Sequence, residues 1–230
     1  MTNDIPPLYD KKVICHVCDH TFTSKKLRSR FIRVKEVFND FSKQYKDESL
    51  NPLLYEVNVC PQCGYAFNEQ FDDIQKENHR QNFKSRVSAN WRKQSFSEQR
   101  SYEDAVRVYK LALISAGETT QPSIVIGSLC MKLSWLSRYS LEKEEEKRFV
   151  RYAIKHFENA FTSGDFASKK MSELKVIYLL AELNRQVDNR EEAVKYFSKV
   201  IQHKERHTEP QIVEMARDQW YKTREVMGSK

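Results

Sequence analysis

Two hydrophobic periods divide the chain near residue 68. In the first part, alternate positions place Ile32, Val34, Glu36 and Phe38 on one side. The same alternation recurs in LLYEVNV, where one side carries Leu53, Tyr55, Val57 and Val59. A period of two is typical of half-buried strands, and the turn-rich DESLNP separates the two stretches. The pattern predicts a small β-ribbon over residues 8–68.

From Phe67 onward the period lengthens to about 3.6 residues, which is typical of amphipathic helices. Phe83, Val87 and Trp91 follow one another at intervals of four and predict a helical connection over residues 69–100. Ser101 and Asp104 then form a capping pair at the start of the next helix. The remainder, residues 101–228, is predicted to be helical throughout.

A triplet of small, aromatic and small residues recurs three times in that helical part. Its copies are Ala105, Tyr109 and Ala112; Ala153, Phe157 and Ala160; and Ala193, Phe197 and Val200. The last copy, within LLAELNRQVDNREEAVKYFSKVI, resembles a tetratricopeptide repeat, in which a small residue lets two helices cross closely. The middle copy is seven residues longer, at LEKEEEK, which predicts that both helices of that pair are extended. The alternative is an ordinary helical bundle without a groove.

The predicted fold class is therefore α+β and mostly α, a small β-ribbon followed by an α-helical tetratricopeptide-like repeat domain. Only five glycines and six prolines occur in 230 residues, so long helices are favoured over a many-stranded sheet. The start, MTNDIPPLYDKK, lacks the apolar run of a signal peptide, and the most apolar stretches are too short and too charged to span a membrane. We expect a cytoplasmic protein without membrane contact.

Four of the five cysteines form two Cys-x-x-Cys pairs, at Cys15 and Cys18 and at Cys60 and Cys63. Two such turns can place four thiolates tetrahedrally around one Zn²⁺. Iron with the same ligands remains an alternative, as does replacement of one cysteine by His16 or His20. A disulfide framework is disfavoured in a reducing cytosol, and no βαβ unit supports a thioredoxin-like redox pair.

Four thiolates fill the coordination sphere of zinc, so we expect one structural zinc per chain and no catalytic water. No HExxH motif, glycine-rich phosphate loop or GxSxG motif occurs, and no small-molecule substrate is indicated. A hydrolase or transferase is the least supported class of function. The sequence favours a non-enzymatic protein.

The leading functional hypothesis is a protein-interaction scaffold, because stacked helix pairs leave a concave surface for peptides or partner helices. Counting from Leu180 and Ala181 assigns groove positions on two helices. They are Met131, Trp135 and Arg138 on the earlier one, and Lys175, Tyr178, Glu182 and Arg185 on the later one. Cationic and aromatic residues there favour an extended peptide with acidic groups.

The alternative is a nucleic-acid-binding protein that uses the basic face of the ribbon. The net charge of +7 is spread thinly, and only SKKLRSRFIRVK concentrates it. The candidate contacts are Arg28, Arg30, Arg33 and Lys35 for phosphates, with Phe31 for base stacking.

The segments LYDKKVICHVC, NPLLYEVNVCPQCGYAF and SYEDAVRVYKLAL, in this order, resemble domain-of-unknown-function family 2225, a bacterial group found mostly in Firmicutes. The resemblance covers nearly the whole chain. It implies a cytoplasmic bacterial protein, zinc-ribbon-like in front and tetratricopeptide-like behind. It carries no activity and no functional residue beyond the four cysteines.

Overall fold

A computed structural model describes residues 5–228 of the chain. Within that range six short strands pair as three antiparallel hairpins, β1 with β2, β3 with β4 and β5 with β6. The strands are β1 (Leu8–Ile14), β2 (Thr21–Leu27), β3 (Val34–Val37), β4 (Lys43–Tyr45), β5 (Asn58–Val59) and β6 (Ala66–Phe67). All of them precede the helices, and the predicted class, α+β and mostly α, is confirmed.

Seven α-helices follow in the described part of the chain. They are α1 (Glu77–Arg86), α2 (Tyr102–Glu118), α3 (Ser123–Tyr139), α4 (Lys143–Ser163), α5 (Glu173–Gln186), α6 (Arg190–Gln202) and α7 (Pro210–Gly228). Helices α3 and α4 have 17 and 21 residues, whereas α5 and α6 have 14 and 13. Both members of the earlier pair are thus extended, as the insertion at LEKEEEK predicts. No helix within residues 5–228 combines the length and apolar character needed to cross a bilayer.

Two compact units divide the chain. The first holds the residues up to Val37, then Lys43–Gln121 and Leu136–Leu141; the second holds Phe38–Ser42, Pro122–Trp135 and the residues from Glu142 onward. These divisions run differently from the predicted ranges 8–68, 69–100 and 101–228. Helix α2 belongs with the ribbon, and five residues between β3 and β4 belong with the helices.

In the first unit, α2 packs on the ribbon through its predicted buried stripe. Ala105, Tyr109 and Ala112 are all buried. The backbone N–H of Ala66 in β6 donates to Ser115 Oγ of α2 at 3.0 Å. These contacts explain why the first copy of the triplet lies with the strands.

In the second unit, α5, α6 and α7 share one apolar core. Phe197 of α6 is fully buried at its centre. The other buried members are Leu174, Ile177, Tyr178, Ala181, Ala193, Val200, Ile212, Val213 and Ala216. In the earlier helix pair, Gly127 of α3 lies against the ring of Phe157 of α4, where a Cβ would approach to 2.9 Å. The second and third triplets therefore line buried faces.

Three local predictions are wrong. Pro52–Tyr55 forms a 3-10 turn rather than a strand, because the Asn51 side chain caps it by accepting from the N–H of Leu53. Helix α1 ends at Arg86, and Trp91 follows in extended conformation instead of completing a helical stripe. Strand β3 is also exposed along its length, rather than half-buried.

Candidate metal centre

The two Cys-x-x-Cys pairs lie in the loops of two hairpins. Residues 15–20 join β1 to β2 just beyond the pairing of Ile14 with Thr21. Residues 60–65 join β5 to β6 in the same way, beyond the pairing of Val59 with Ala66. Each hairpin therefore brings two thiols to one end of its ribbon.

Both loops have the same backbone hydrogen bonds. In the first loop, Cys15 N–H donates to His20 O at 3.0 Å and Asp19 N–H donates to Cys15 O at 3.0 Å. In the second, Cys60 N–H donates to Tyr65 O and Gly64 N–H donates to Cys60 O, both at 2.9 Å.

The equivalent residues Asp19 and Gly64 both adopt the left-handed conformation, with φ of 58° and 78°. The loop geometry requires a positive φ at this position, and aspartate tolerates it better than most side chains. The absence of a glycine from the first loop is thereby explained.

The four sulfur atoms form one cluster, in which all lie within 4.8 Å of one another. The Sγ atoms of Cys15 and Cys63 are 3.5 Å apart, and those of Cys18 and Cys60 are 3.6 Å apart. Bonds of 2.3 Å to a tetrahedral zinc would separate sulfurs by about 3.8 Å. The four cysteines therefore fit a metal ion at their centre.

The thiols also influence one another's ionisation. Hydrogen bonds from Cys15 and then Cys63 lower the pKa of Cys60, while the hydrogen bonds that Cys63 makes with Cys15 and Cys60 raise its own pKa. The cluster thus favours one negative charge and opposes further ones. Additional thiolates at this spacing require a cation between them.

Residues from beyond α1 cover the second loop. The indole N–H of Trp91 donates to Pro61 O at 3.0 Å, and the hydroxyl of Ser88 donates to Cys63 O at 3.0 Å. The ring of Trp91 lies directly over Gly64, where a Cβ would come within 2.6 Å of Cδ2. Sequence reasoning missed these roles, because both residues fall inside a pattern that predicts a continuing helix.

The neighbouring histidines and the fifth cysteine lie outside the sulfur cluster. The ring of His16 packs on that of Phe67, with centroids 4.5 Å apart, and the ring of His20 stacks near Phe22. Cys130 is buried in α3, and burial raises the pKa of its thiol to about 12. The cluster thus consists of the four predicted cysteines.

The predicted groove residues are less accessible than the groove hypothesis expects. On α3, Met131 and Trp135 are buried and Arg138 is half-buried. On α5, Tyr178 and Glu182 are buried, whereas Lys175 and Arg185 are half-buried. The Arg185 guanidinium donates two hydrogen bonds to the Glu182 carboxylate, at 2.8 and 2.7 Å.

The loop Phe38–Ser42, between β3 and β4, covers this face of α5. Tyr178 donates its hydroxyl hydrogen to Asn39 O at 2.9 Å, and Gln186 Nε2 donates to Asp40 Oδ2 at 3.1 Å. The Lys175 Nζ lies 4.9 Å from the ring centroid of Phe41. The Asn39-Asp40 pair, of residue types common in turns, is a sequence signal that could have indicated this loop.

The predicted nucleic-acid residues do not share one strand face. Arg28 lies over the ring of Tyr9 and donates to Pro6 O, and Arg30 lies over the ring of Phe31 within a 3-10 turn, Ser29–Phe31. Arg33 and Lys35 are exposed on and next to β3. The basic run is therefore divided between a turn and the following hairpin.

Fold and site together define an α+β protein with a four-cysteine cluster that could hold a metal ion. The chain belongs to the family described as "Uncharacterized protein conserved in bacteria (DUF2225)", whose model matches residues 8–223. No curated protein and no solved structure matches the chain.

Proposed function

We propose that this protein is a non-enzymatic, zinc-containing scaffold that binds a protein or peptide partner through tetratricopeptide-like helices. The observation that carries the proposal is the face of α5, which contacts an irregular five-residue loop. An aromatic contact and two hydrogen bonds from α5 side chains, one to a loop carbonyl and one to a loop carboxylate, hold the loop there. Helical-repeat surfaces recognise partners through the same kinds of contact. A face that holds one loop has the chemistry to hold another.

The metal in this proposal is one Zn²⁺ per chain, held by Cys15, Cys18, Cys60 and Cys63. Four thiolates leave no coordination position for water or substrate, so the ion would stabilise the fold and would not catalyse a reaction. The strands that meet at the site are short, and a ribbon this small gains much of its folding free energy from metal binding. Reduced thiols agree with a cytoplasmic location, which we also propose.

Elemental analysis of the purified protein tests the metal. We expect one equivalent of zinc, and its loss on Cys60→Ser. Cys130→Ser is the matched control, since it removes the fifth thiol, which is buried outside the cluster, and should leave the zinc content unchanged. A full equivalent of iron, or substantially less than one equivalent of any metal, would contradict a structural zinc.

Partner binding is tested by affinity purification of the tagged full chain together with two charge-reversal variants. Lys175→Glu alters the α5 face, and Lys199→Glu is its control on α6, where that lysine lies 4.8 Å from the ring centroid of Tyr196. A partner that uses the α5 face should be lost from the first variant and kept by the second. Equal recovery by all three proteins would argue against this face.

Nucleic-acid binding by Arg28, Arg30, Phe31, Arg33 and Lys35 has weaker support, since the chain's own carbonyls engage Arg28 and Arg30. If it occurs, retardation of a nucleic acid in a gel should be strong at low salt and fall steeply with added salt.

A further inference from the structure

The loop Phe38–Ser42 resembles a bound acidic peptide in its chemistry. Asp40 is only 1% exposed. Its Oδ1 accepts from the N–H and hydroxyl of Ser42, at 3.0 and 2.6 Å, and its Oδ2 accepts from Gln186 of α5 at 3.1 Å. Burying a carboxylate is costly unless donors replace its water. Here the loop itself supplies two of the donors through Ser42, and α5 supplies the third through Gln186.

The residue after this acid adds an aromatic contact. The ring of Phe41 lies 5.4 Å from that of Tyr178, tilted by 52°, and its face meets the ammonium of Lys175. Aromatic pairs and cation–π contacts of this kind are stabilising. Tyr178 also fixes the loop backbone through Asn39 O. Lys175, Tyr178 and Gln186, here called the α5 face, thus contact an acid and the aromatic residue that follows it.

We propose that the α5 face is a binding site for partner segments with a carboxylate directly followed by an aromatic side chain. The loop Phe38–Ser42 occupies this site as an intramolecular competitor. The inference rests on the proposed scaffold function and names the chemistry of its partner. A partner segment therefore binds only as fast and as tightly as the loop's release allows.

The local structure favours release of the loop. Phe41 adopts a φ of 64°, a left-handed conformation that is unfavourable for a residue other than glycine. Strand β3 is exposed along its length, and its pairing with β4 is irregular between Val34 and Glu36.

The size of the competition follows from tethering. A short tether holds its ligand at an effective concentration of about 1 mM. For a free peptide whose intrinsic Kd is about 100 µM, the resident loop then weakens the apparent affinity about tenfold. Removing the loop's side chains should therefore make peptide binding about tenfold tighter.

The experiment measures binding of a fluorescent peptide, EVFNDFSKQ, which copies residues 36–44, to three full-length proteins. These are the wild type, Asp40→Asn, and a loop variant with Asn39, Asp40 and Phe41 all changed to Gly. We expect about tenfold tighter binding by the loop variant than by the wild type, with Asp40→Asn between them. Adding Lys175→Glu to the loop variant should abolish binding. Peptides with Asp40→Asn plus Phe41→Ala should not bind.

If the glycine variant does not fold, hydrogen exchange on the wild type decides. Millimolar peptide should increase exchange at Phe41, whose N–H donates to Phe38 O at 2.9 Å, and leave α7 unchanged. Failure of the folded loop variant to bind peptide, or unchanged exchange in the wild type, overturns the inference. A partner recovered by affinity purification that the peptide does not displace would also overturn it while preserving the scaffold. Peptide binding with no recovered partner would support the binding chemistry of the α5 face and contradict the proposed scaffold function.

Discussion

At the scale of single residues, the two cysteine loops place different residues at the position that requires a positive φ. Asp19 and Gly64 occupy the same position with the same left-handed conformation. Asp19 is exposed and reaches Arg80 at 3.8 Å, so its side chain has room. Gly64 lies under Trp91 and has none. Glycine is required at position 64 for space as well as for conformation.

Gly64→Ala should consequently destabilise the protein more than Gly164→Ala. Both glycines have a positive φ, of 78° and 74°, but a Cβ at position 164 would meet no described atom within 4 Å. The control therefore measures the conformational cost alone, about 1 kcal/mol. Gly64→Ala adds the clash with Trp91 and should cost at least about twice as much. Denaturant unfolding gives both values, and equal costs would disprove the role of Trp91.

Trp91 should report metal loss by fluorescence. A variant with Trp135→Phe and Trp220→Phe retains only Trp91, whose indole donates to Pro61 O beside the second pair of thiols. Chelation should release this hydrogen bond and expose the ring, which shifts emission to longer wavelength. The converse variant, Trp91→Phe, should respond much less. A chelation shift of the same size in both variants would contradict the assignment.

At the scale of elements, α2 is positioned by its cap and by an arginine just before it. Ser101 and Asp104 form the predicted capping box, with both reciprocal hydrogen bonds present. Arg100 is buried and donates to the carbonyls of Leu54, Val57 and Phe96. Burial lowers the pKa of its guanidinium to about 10. This arginine stabilises the 3-10 turn Pro52–Tyr55, where the sequence pattern predicts a strand.

Arg100→Leu should destabilise the first unit by about 3 kcal/mol, because it leaves buried carbonyls without donors. Arg92→Leu is the control, since that arginine is exposed and its loss should change stability by less than about 0.5 kcal/mol. Thermal unfolding followed by circular dichroism measures the difference. Similar effects of both substitutions would show that the carbonyl contacts contribute little.

Element types were largely predictable from the sequence, whereas their packing partners were not. The stripes around Tyr109, Phe157 and Phe197 predict buried helical faces, and all three are buried. The hydrophobic period does not identify the element that packs on a buried helical face. It therefore groups α2 with the repeats, although α2 packs on the ribbon. The four cysteines were predictable because ligand spacing is local. The roles of Trp91 and Asp40 were not, since their partners lie 30 and 146 residues away.

At the scale of the whole molecule, the two compact units differ in what they contain. The first contains the cysteine cluster, and the second contains the apolar core shared by α5, α6 and α7. Metal binding contributes folding free energy only to the unit that holds the ion. The helical core derives its stability from buried apolar surface.

Chelation should therefore lower the temperature at which the first unit unfolds and leave most of the helical signal of the second. Near-ultraviolet circular dichroism at the Tyr65 and Trp91 environment follows the first unit, and limited proteolysis locates the cleaved segments. Cuts should appear within residues 8–68 and spare α5 to α7. Simultaneous loss of both units on chelation would contradict separate stabilisation.

The sulfur contacts of 3.5 and 3.6 Å join one hairpin loop to the other, Cys15 to Cys63 and Cys18 to Cys60. An oxidant that removes two electrons from either pair, with release of the ion, would leave a covalent bond between the same two hairpins. Oxidation would then exchange one crosslink for another while the ends of the ribbons stay together. Peptide mapping without reductant would reveal such bridges, and bridges within a single loop would indicate that the ribbons had separated first.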